Sequence, residues 1–228
     1  MPPNFTILRV DASARVERSL SRALADQFVG EWQARRPRDL VLHRDVGAVP
    51  PPLVSEDWIA AAFTPKAKRT SEQRRMLAPS DELLDELRRA DLLLIATPMY
   101  NYGMPAALKA WVDQVVRVDE TFSFDLSRGD WPLEPILGRK KLVLLTSSGE
   151  FGFAPGGPRA HMDHLTPHLR TCAHYFGVEE THRVAIEYQE FGDERHRRSV
   201  DQAHAEVVRL VERLACLLYT SPSPRDCN

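Results

Sequence analysis

Apolar positions along the chain follow two alternating rhythms: short unbroken runs, and faces that repeat every three or four residues. The runs are residues 5–10, 40–43, 92–96 and 141–146, with 182–187 as an edge or final strand on Val184 and Ile186. An apolar run of this length suits a strand buried on both faces of a parallel sheet. Between the runs, Leu20, Leu24, Phe28 and Trp32 share one helical face, and Pro37 ends that unit. Residues 48–52 are a proline-rich connection, and residues 55–77, interrupted by Pro65, are expected as helical pieces on the surface. Ser80 is expected to cap the helix DELLDELRRA, whose acids start and whose arginines end it, as the helix dipole favours. After the run at 92–96, Thr97 and Pro98 stop the strand, and Pro105 opens a helix on Leu108, Trp111 or Val112, and Val115. Residues 117–138 form a long excursion bearing Phe122, Phe124 and Trp131. A helical region from about 161 to 176 is expected to break or kink at Pro167, and a long helix on Val200, Ala203, Val207, Leu210, Val211 and Leu214 closes the chain. This alternation predicts an α/β fold with a mostly parallel sheet.

The 228 residues suit one domain, taken as 1–216. Residues 217–228 leave the helical period and turn Ser/Pro-rich, so they are set apart as a non-native or disordered tail. A formal charge of −2 offers nothing to a nucleic acid or an acidic membrane surface. No apolar run approaches the roughly 20 residues of a membrane helix. The start MPPNFTILRV lacks the regions of a secretory signal, and the cysteines Cys172, Cys216 and Cys227 form no close-spaced pair. A cytoplasmic location is expected.

Three strand-to-helix loops fall on the carboxyl edge of such a sheet, where open α/β folds bind ligands: 11–20, 97–104 and 146–158. The first carries Ser13, Ser19 and Ser21 at a helix start, where a phosphate gains amide and hydroxyl donors and the dipole. Serines there also serve as plain caps. Neither GxGxxG nor GxxxxGK[ST] occurs, which removes the dinucleotide fingerprint and the P-loop. The second loop offers Met99, Tyr100, Asn101 and Tyr102, a flat apolar face with polar edges that suits a planar heterocycle or simply covers the sheet edge. His161, His164 and His168 have helical spacing, but Pro167 disturbs their face and no Cys or carboxylate set completes a metal shell; no metal is expected.

The segment PMYNYGMPAALKAWVD resembles the P-M-Y-N-F/Y-x-x-P-x-x-L-K-x-W/Y-x-D pattern of the FMN-dependent NAD(P)H oxidoreductases of the azoreductase and quinone-reductase family. ILRVDASAR with SLSRALADQF, TFSF, and GRKKLVLLTSSGE extend the likeness from residue 5 to about 214. It implies a flavodoxin-like three-layer sandwich whose five parallel strands lie in the order 2-1-3-4-5. Ser13, Ser19, Leu20 and Ser21 would surround the FMN phosphate, and Met99, Tyr100, Asn101 and Tyr102 would line the isoalloxazine. Ser147, Ser148, Gly149 and Glu150 would face its pyrimidine side, although some relatives carry S-R-G-G there. Phe124 would cover the substrate. NADH or NADPH would be the hydride donor, quinones and azo compounds the acceptors in a ping-pong two-electron scheme, with no catalytic acid–base residue. A homodimer is implied, with residues 117–138 near the partner's flavin. The competing expectation is a flavodoxin-like electron carrier without pyridine-nucleotide turnover; a receiver module is disfavoured, since the third strand ends Ala96-Thr97-Pro98 without an aspartate.

Overall fold

The computed structural model describes residues 5–220, with side chains to 217; the remainder of the expected tail lies outside the described residues. In chain order the elements are β1 (Thr6–Asp11), α1 (Leu20–Arg35), β2 (Leu40–Asp45), α2 (Glu56–Phe63), α3 (Ser71–Arg89), β3 (Leu92–Pro98) and α4 (Ala106–Val115). There follow β4 (Phe122–Phe124), β5 (Leu133–Pro135), β6 (Lys140–Ser147), α5 (Thr166–Tyr175), β7 (Val178–Ile186) and α6 (Glu194–Thr220). Five strands form one parallel sheet in the order β2-β1-β3-β6-β7. This is the flavodoxin-like order 2-1-3-4-5 once the short β4–β5 hairpin of the 117–138 excursion is set aside.

The unbroken apolar runs have a simple cause. Side chains alternate between the faces of a strand, and here both faces are covered. Leu8, Val10, Leu93, Ile95, Leu142 and Leu144 face α3, α4 and α5, where Leu84, Trp111 and Phe176 are buried. Ile7, Leu92, Leu94, Val143 and Leu145 face α1 and α6, against Phe28, Trp32, Val207 and Leu210. The edge strand β2 is only partly buried and its sequence is correspondingly mixed.

Several expected boundaries move. Ser80 is no cap: α3 begins ten residues earlier than expected, behind Thr70, whose Oγ1 accepts the Gln73 amide at 3.2 Å while Gln73 Oε1 accepts the Thr70 amide at 2.9 Å. The helix passes through Pro79, and Ser80, fully buried, donates to the Gln114 carbonyl at 2.6 Å. The 55–77 segment is not merely a surface feature, since Leu77 packs against Trp58, Ala61 and Ala62 in a small core of its own; that burial favours helix on the N-terminal side of the expected Ser80 cap. Pro167 kinks nothing: it sits in the first turn of α5, where its missing N–H costs least, and Asp163 Oδ1 accepts the amides of Leu165 and Thr166 at 3.0 and 2.9 Å. β3 runs to Pro98, because a proline at a strand's last position removes only one donor. β7 starts four residues before the expected 182, paired along β6.

Candidate functional site

At the carboxyl edge of β1, β3, β6 and β7 the loops enclose a cleft of about 330 Å³. Ser13, Ser19, Leu20, Met99, Tyr100, Ser147, Ser148 and Gly149 all line it. So do Arg15, Arg18, Pro98, Gln189 and Glu190, which sequence reasoning did not nominate. Gln189 and Glu190 follow β7 directly, and the same edge rule that nominated the other loops applies to that exit too.

The phosphate-type end is built by the entry to α1. Ser19 caps the helix from an extended conformation (φ −82°, ψ 117°), its hydroxyl facing the Arg22 amide at 3.5 Å. Arg18 just before it is left-handed (φ 56°), which turns the chain sharply into the helix. Ser13 Oγ accepts the Arg15 amide at 3.2 Å and so folds the loop back on itself. Ser21 is fully buried and does not line the cleft; its hydroxyl lies 3.4 Å from that of Ser19 and supports the cap from behind.

The flat wall comes from Pro98, Met99 and Tyr100. Beyond them the chain makes a two-residue turn, with Tyr100 and Gly103 exchanging both backbone hydrogen bonds at 3.0 Å. Asn101 (φ 48°) and Tyr102 (φ 65°) occupy its tip, in a region costly for a bulky residue like tyrosine. Such strain persists only where the surroundings impose it. Here the Tyr102 carbonyl accepts the His164 amide at 3.0 Å and its ring leans on Phe153, with centroids 6.4 Å apart. Neither Asn101 nor Tyr102 lines the cleft; they hold its rim.

The third loop is pinned on two sides. Met99 donates its amide to the Ser147 carbonyl at 2.8 Å, and Gln189 and Glu190 donate theirs to Ser148 and Gly149 at 3.2 and 3.1 Å. Glu150 turns away from the cleft towards Tyr102 and Arg159, whose Nε lies 3.5 Å from its carboxylate. Hydrogen bonding to Glu150, and then its negative charge, push the Tyr102 phenol above the ordinary tyrosine value. Phe124 stands on β4, half exposed and outside the cleft lining.

The donor set fits FMN. One end offers a helix N-terminus, serine hydroxyls and two guanidinium side chains for a dianion, and the other offers an apolar–aromatic wall with backbone polar groups along its edge. Among the described residues, no group of three or more His, Cys, Asp or Glu side chains is placed to hold a metal. His161 lies in a short 3₁₀ turn, apart from His168 on α5. Cys172 is half-buried, and burial raises its thiol above the ordinary value.

The fold and the position of the cleft define a flavodoxin-like protein, and the flavodoxin-like fold family matches this chain over residues 6–211. The FMN-dependent NADH:quinone oxidoreductase 2 of Idiomarina loihiensis is 52% identical over 205 residues, 87% of this chain and 85% of its own. That of Colwellia psychrerythraea is 50% identical over 217 residues, covering 92% and 99%. An azoreductase structure from Bacillus anthracis superposes with a TM-score of 0.80 at 23% identity, over 92% of this chain and 99% of that one, and shows the shared fold. The chain belongs to the family of FMN-dependent NADH:quinone oxidoreductases.

Proposed function

We propose that this protein is an FMN-dependent NAD(P)H:quinone oxidoreductase that also reduces azo compounds. The observation that carries the proposal is the union, in one cleft, of a phosphate-suited helix start with the Pro98-Met99-Tyr100 wall, in a chain half-identical to two FMN-dependent NADH:quinone oxidoreductases.

Each part of the cleft has a task. The α1 N-terminus, with Ser13, Ser19, Arg15 and Arg18, would hold the phosphate by amide, hydroxyl and guanidinium donors. Met99 and Tyr100 would support the ring on one side, and the Ser147–Gly149 segment would meet its polar edge. Bound FMN would supply the hydride-accepting and hydride-returning ring, and the protein supplies position and electrostatics. The strained Asn101–Tyr102 turn keeps the rim rigid, which serves reactions that need atoms within roughly 3–3.5 Å. No acid–base triad is needed, and none is proposed.

The working unit is a homodimer. In support, the hairpin region exposes Phe124, Leu126, Trp131 and Ile136 together, aromatic and aliphatic groups of the kind interface cores favour. Phe124, outside its own cleft, would then reach the partner's. Cys172 and Cys216 are free thiols, as suits the reducing cytoplasm, and no helix among the described residues is long and apolar enough to cross a membrane.

Purification followed by an absorbance spectrum, chromatography of the heat-released chromophore and NADH-driven benzoquinone reduction tests the proposal. FMN release with rapid turnover is expected. FMN binding without NADH oxidation would indicate the electron carrier instead, and absence of flavin uptake would reject both.

A further inference from the structure

Arg22, the third residue of α1, is 7% exposed and does not line the cleft. Its guanidinium joins three segments behind the first loop. Nη1 donates to Asp45 Oδ2 at 2.6 Å and to Asp11 Oδ2 at 3.3 Å; Nη2 donates to Asp45 Oδ1 at 2.7 Å and to the Ser13 carbonyl at 2.7 Å. The ends of β1 and β2 are thereby tied to the start of the loop that lines the cleft.

The Ser13 carbonyl is held from a second direction. The 45–49 turn approaches so closely that a Cβ at Gly47 would stand 2.1 Å from Ser13 O. The turn itself depends on Asp45, which also accepts the Ala48 amide at 2.9 Å. The peptide is trans, so a carbonyl fixed towards Arg22 sends the Ala14 N–H the opposite way, out of the interior. The direction of the Ala14 backbone donor is therefore set by a side chain that does not line the cleft. Charge acts in the same sense: Arg22 balances Asp45 and shares Asp11 with Arg9 and His43. Without it, Asp45 would present an uncompensated carboxylate behind a phosphate site.

We propose that Arg22 is a positioning residue for FMN: its planar fork on Asp45 and the Ser13 carbonyl shapes the loop that receives the phosphate, an inference that rests on the FMN proposal above. A fork of this geometry has no lysine equivalent, because an ammonium cannot serve a bidentate carboxylate and a carbonyl in one plane.

The test compares the affinities of flavin-free wild type, Arg22→Lys, Arg22→Gln and Asp45→Asn for FMN and for riboflavin, which lacks the phosphate, by fluorescence quenching. Loss of a charged hydrogen bond predicts an FMN affinity about 10-fold lower in Arg22→Lys and Asp45→Asn, and about 100-fold lower in Arg22→Gln. Riboflavin affinity should stay within about three-fold in all three, because the ring end of the cleft is untouched. Equal loss of both flavins would reduce Arg22 to a packing role, and unchanged FMN affinity in a folded Arg22→Gln would overturn the inference outright. Should Arg22→Gln not fold, the other two variants decide by the same ratio. A wild type that binds neither flavin would instead reject the FMN proposal itself.

Discussion

Glu187, the first residue past the end of β7, accepts the Gly152 amide at 2.9 Å and the Phe153 amide at 3.3 Å. One carboxylate thus latches the long loop after β6 to the exit of the neighbouring strand. Next to it, Phe151 stacks on Tyr188 with centroids 4.4 Å apart, and the Arg159 guanidinium lies 4.4 Å from the Phe151 centroid. The aromatic contacts resist sliding, but only Glu187 satisfies those two amides. Glu187→Ala should accelerate hydrogen exchange at Gly152 and Phe153 by at least about ten-fold, with little change in the sheet core. Equal exchange rates in the two proteins would show that the aromatic stack alone holds the loop.

Ser19 offers a clean probe of the phosphate end. Aspartate is as good an N-cap as serine, so Ser19→Asp should leave α1 intact while placing a negative charge in the cleft lining. FMN affinity should fall by about ten-fold or more, riboflavin affinity much less, and the gap should shrink in high salt as the repulsion is screened. The same change at Ser21 would be a poor test, because that side chain is fully buried and a carboxylate there would disturb the core. Undiminished FMN binding by Ser19→Asp would mean that the phosphate lies elsewhere.

The strands and three of the loops around the cleft were legible in the chain because their signals are local, whereas the sheet order followed from the family resemblance. Residues 92–96 are apolar throughout since β3 is covered on both faces, and strand exits of a parallel sheet share one edge. Several of the failures are tertiary. Ser80 followed by acids looks like a cap, but burial of Leu77 against Trp58 favours helix on its N-terminal side. Ser19 and Ser21 are indistinguishable in sequence, and only the helix geometry sends one to the cleft and the other inward. Arg22 reads as an ordinary polar residue of α1 until β2 brings Asp45 beside it.

Asp45 should also write a pH signature. Hydrogen bonding from Arg22 lowers its pKa below the ordinary carboxylate value, against the opposing effect of burial, with the Ala48 amide adding to the drop. A depressed folded-state pKa stabilises the fold above the unfolded value near 4, and that contribution disappears as pH falls through the folded value. Asp45→Asn should therefore be less stable than wild type at pH 7, with the gap closing as pH falls through the lowered folded-state value. Urea midpoints at several pH values measure this, and a gap independent of pH would assign the stability difference to something other than the Arg22–Asp45 pair.

Trp131 is 85% exposed and Leu126 is 73% exposed, both in the segment that joins β4 to β5. Large apolar groups gathered on one excursion mark a contact surface. Light scattering at micromolar concentration should report a dimer, and Trp131→Asp should shift it towards monomer while leaving the fold unchanged by circular dichroism. A fully active monomeric wild type would refute the dimer and remove any part for Phe124 in a partner's cleft.

Quinones should be reduced faster than azo dyes, in a reaction that uses one stacking position twice. The Tyr100 ring is partly exposed beside Pro98 and Met99, and the carboxylate of Glu150 is engaged with Arg159 and Tyr102 outside the cleft lining, which leaves Glu190 as the carboxylate there. Apart from the phosphate-type end, the Ser147–Gly149 edge and Gln189 with Glu190, the lining is the Pro98-Met99-Tyr100 wall, and discrimination between planar apolar acceptors on that wall rests on differences of about 1–3 kcal/mol. Intrinsic reactivity then sets the order, and quinones accept hydride more readily than azo bonds do. Because nicotinamide and acceptor would occupy the same place in turn, double-reciprocal plots at several acceptor concentrations should give parallel lines. Transfer in two-electron steps should also leave cytochrome c unreduced when quinone and NADH are present together. Intersecting lines would require both substrates to be bound at once, which one stacking position beside Tyr100 does not allow, and cytochrome c reduction would reveal one-electron leakage; either result would sink the scheme.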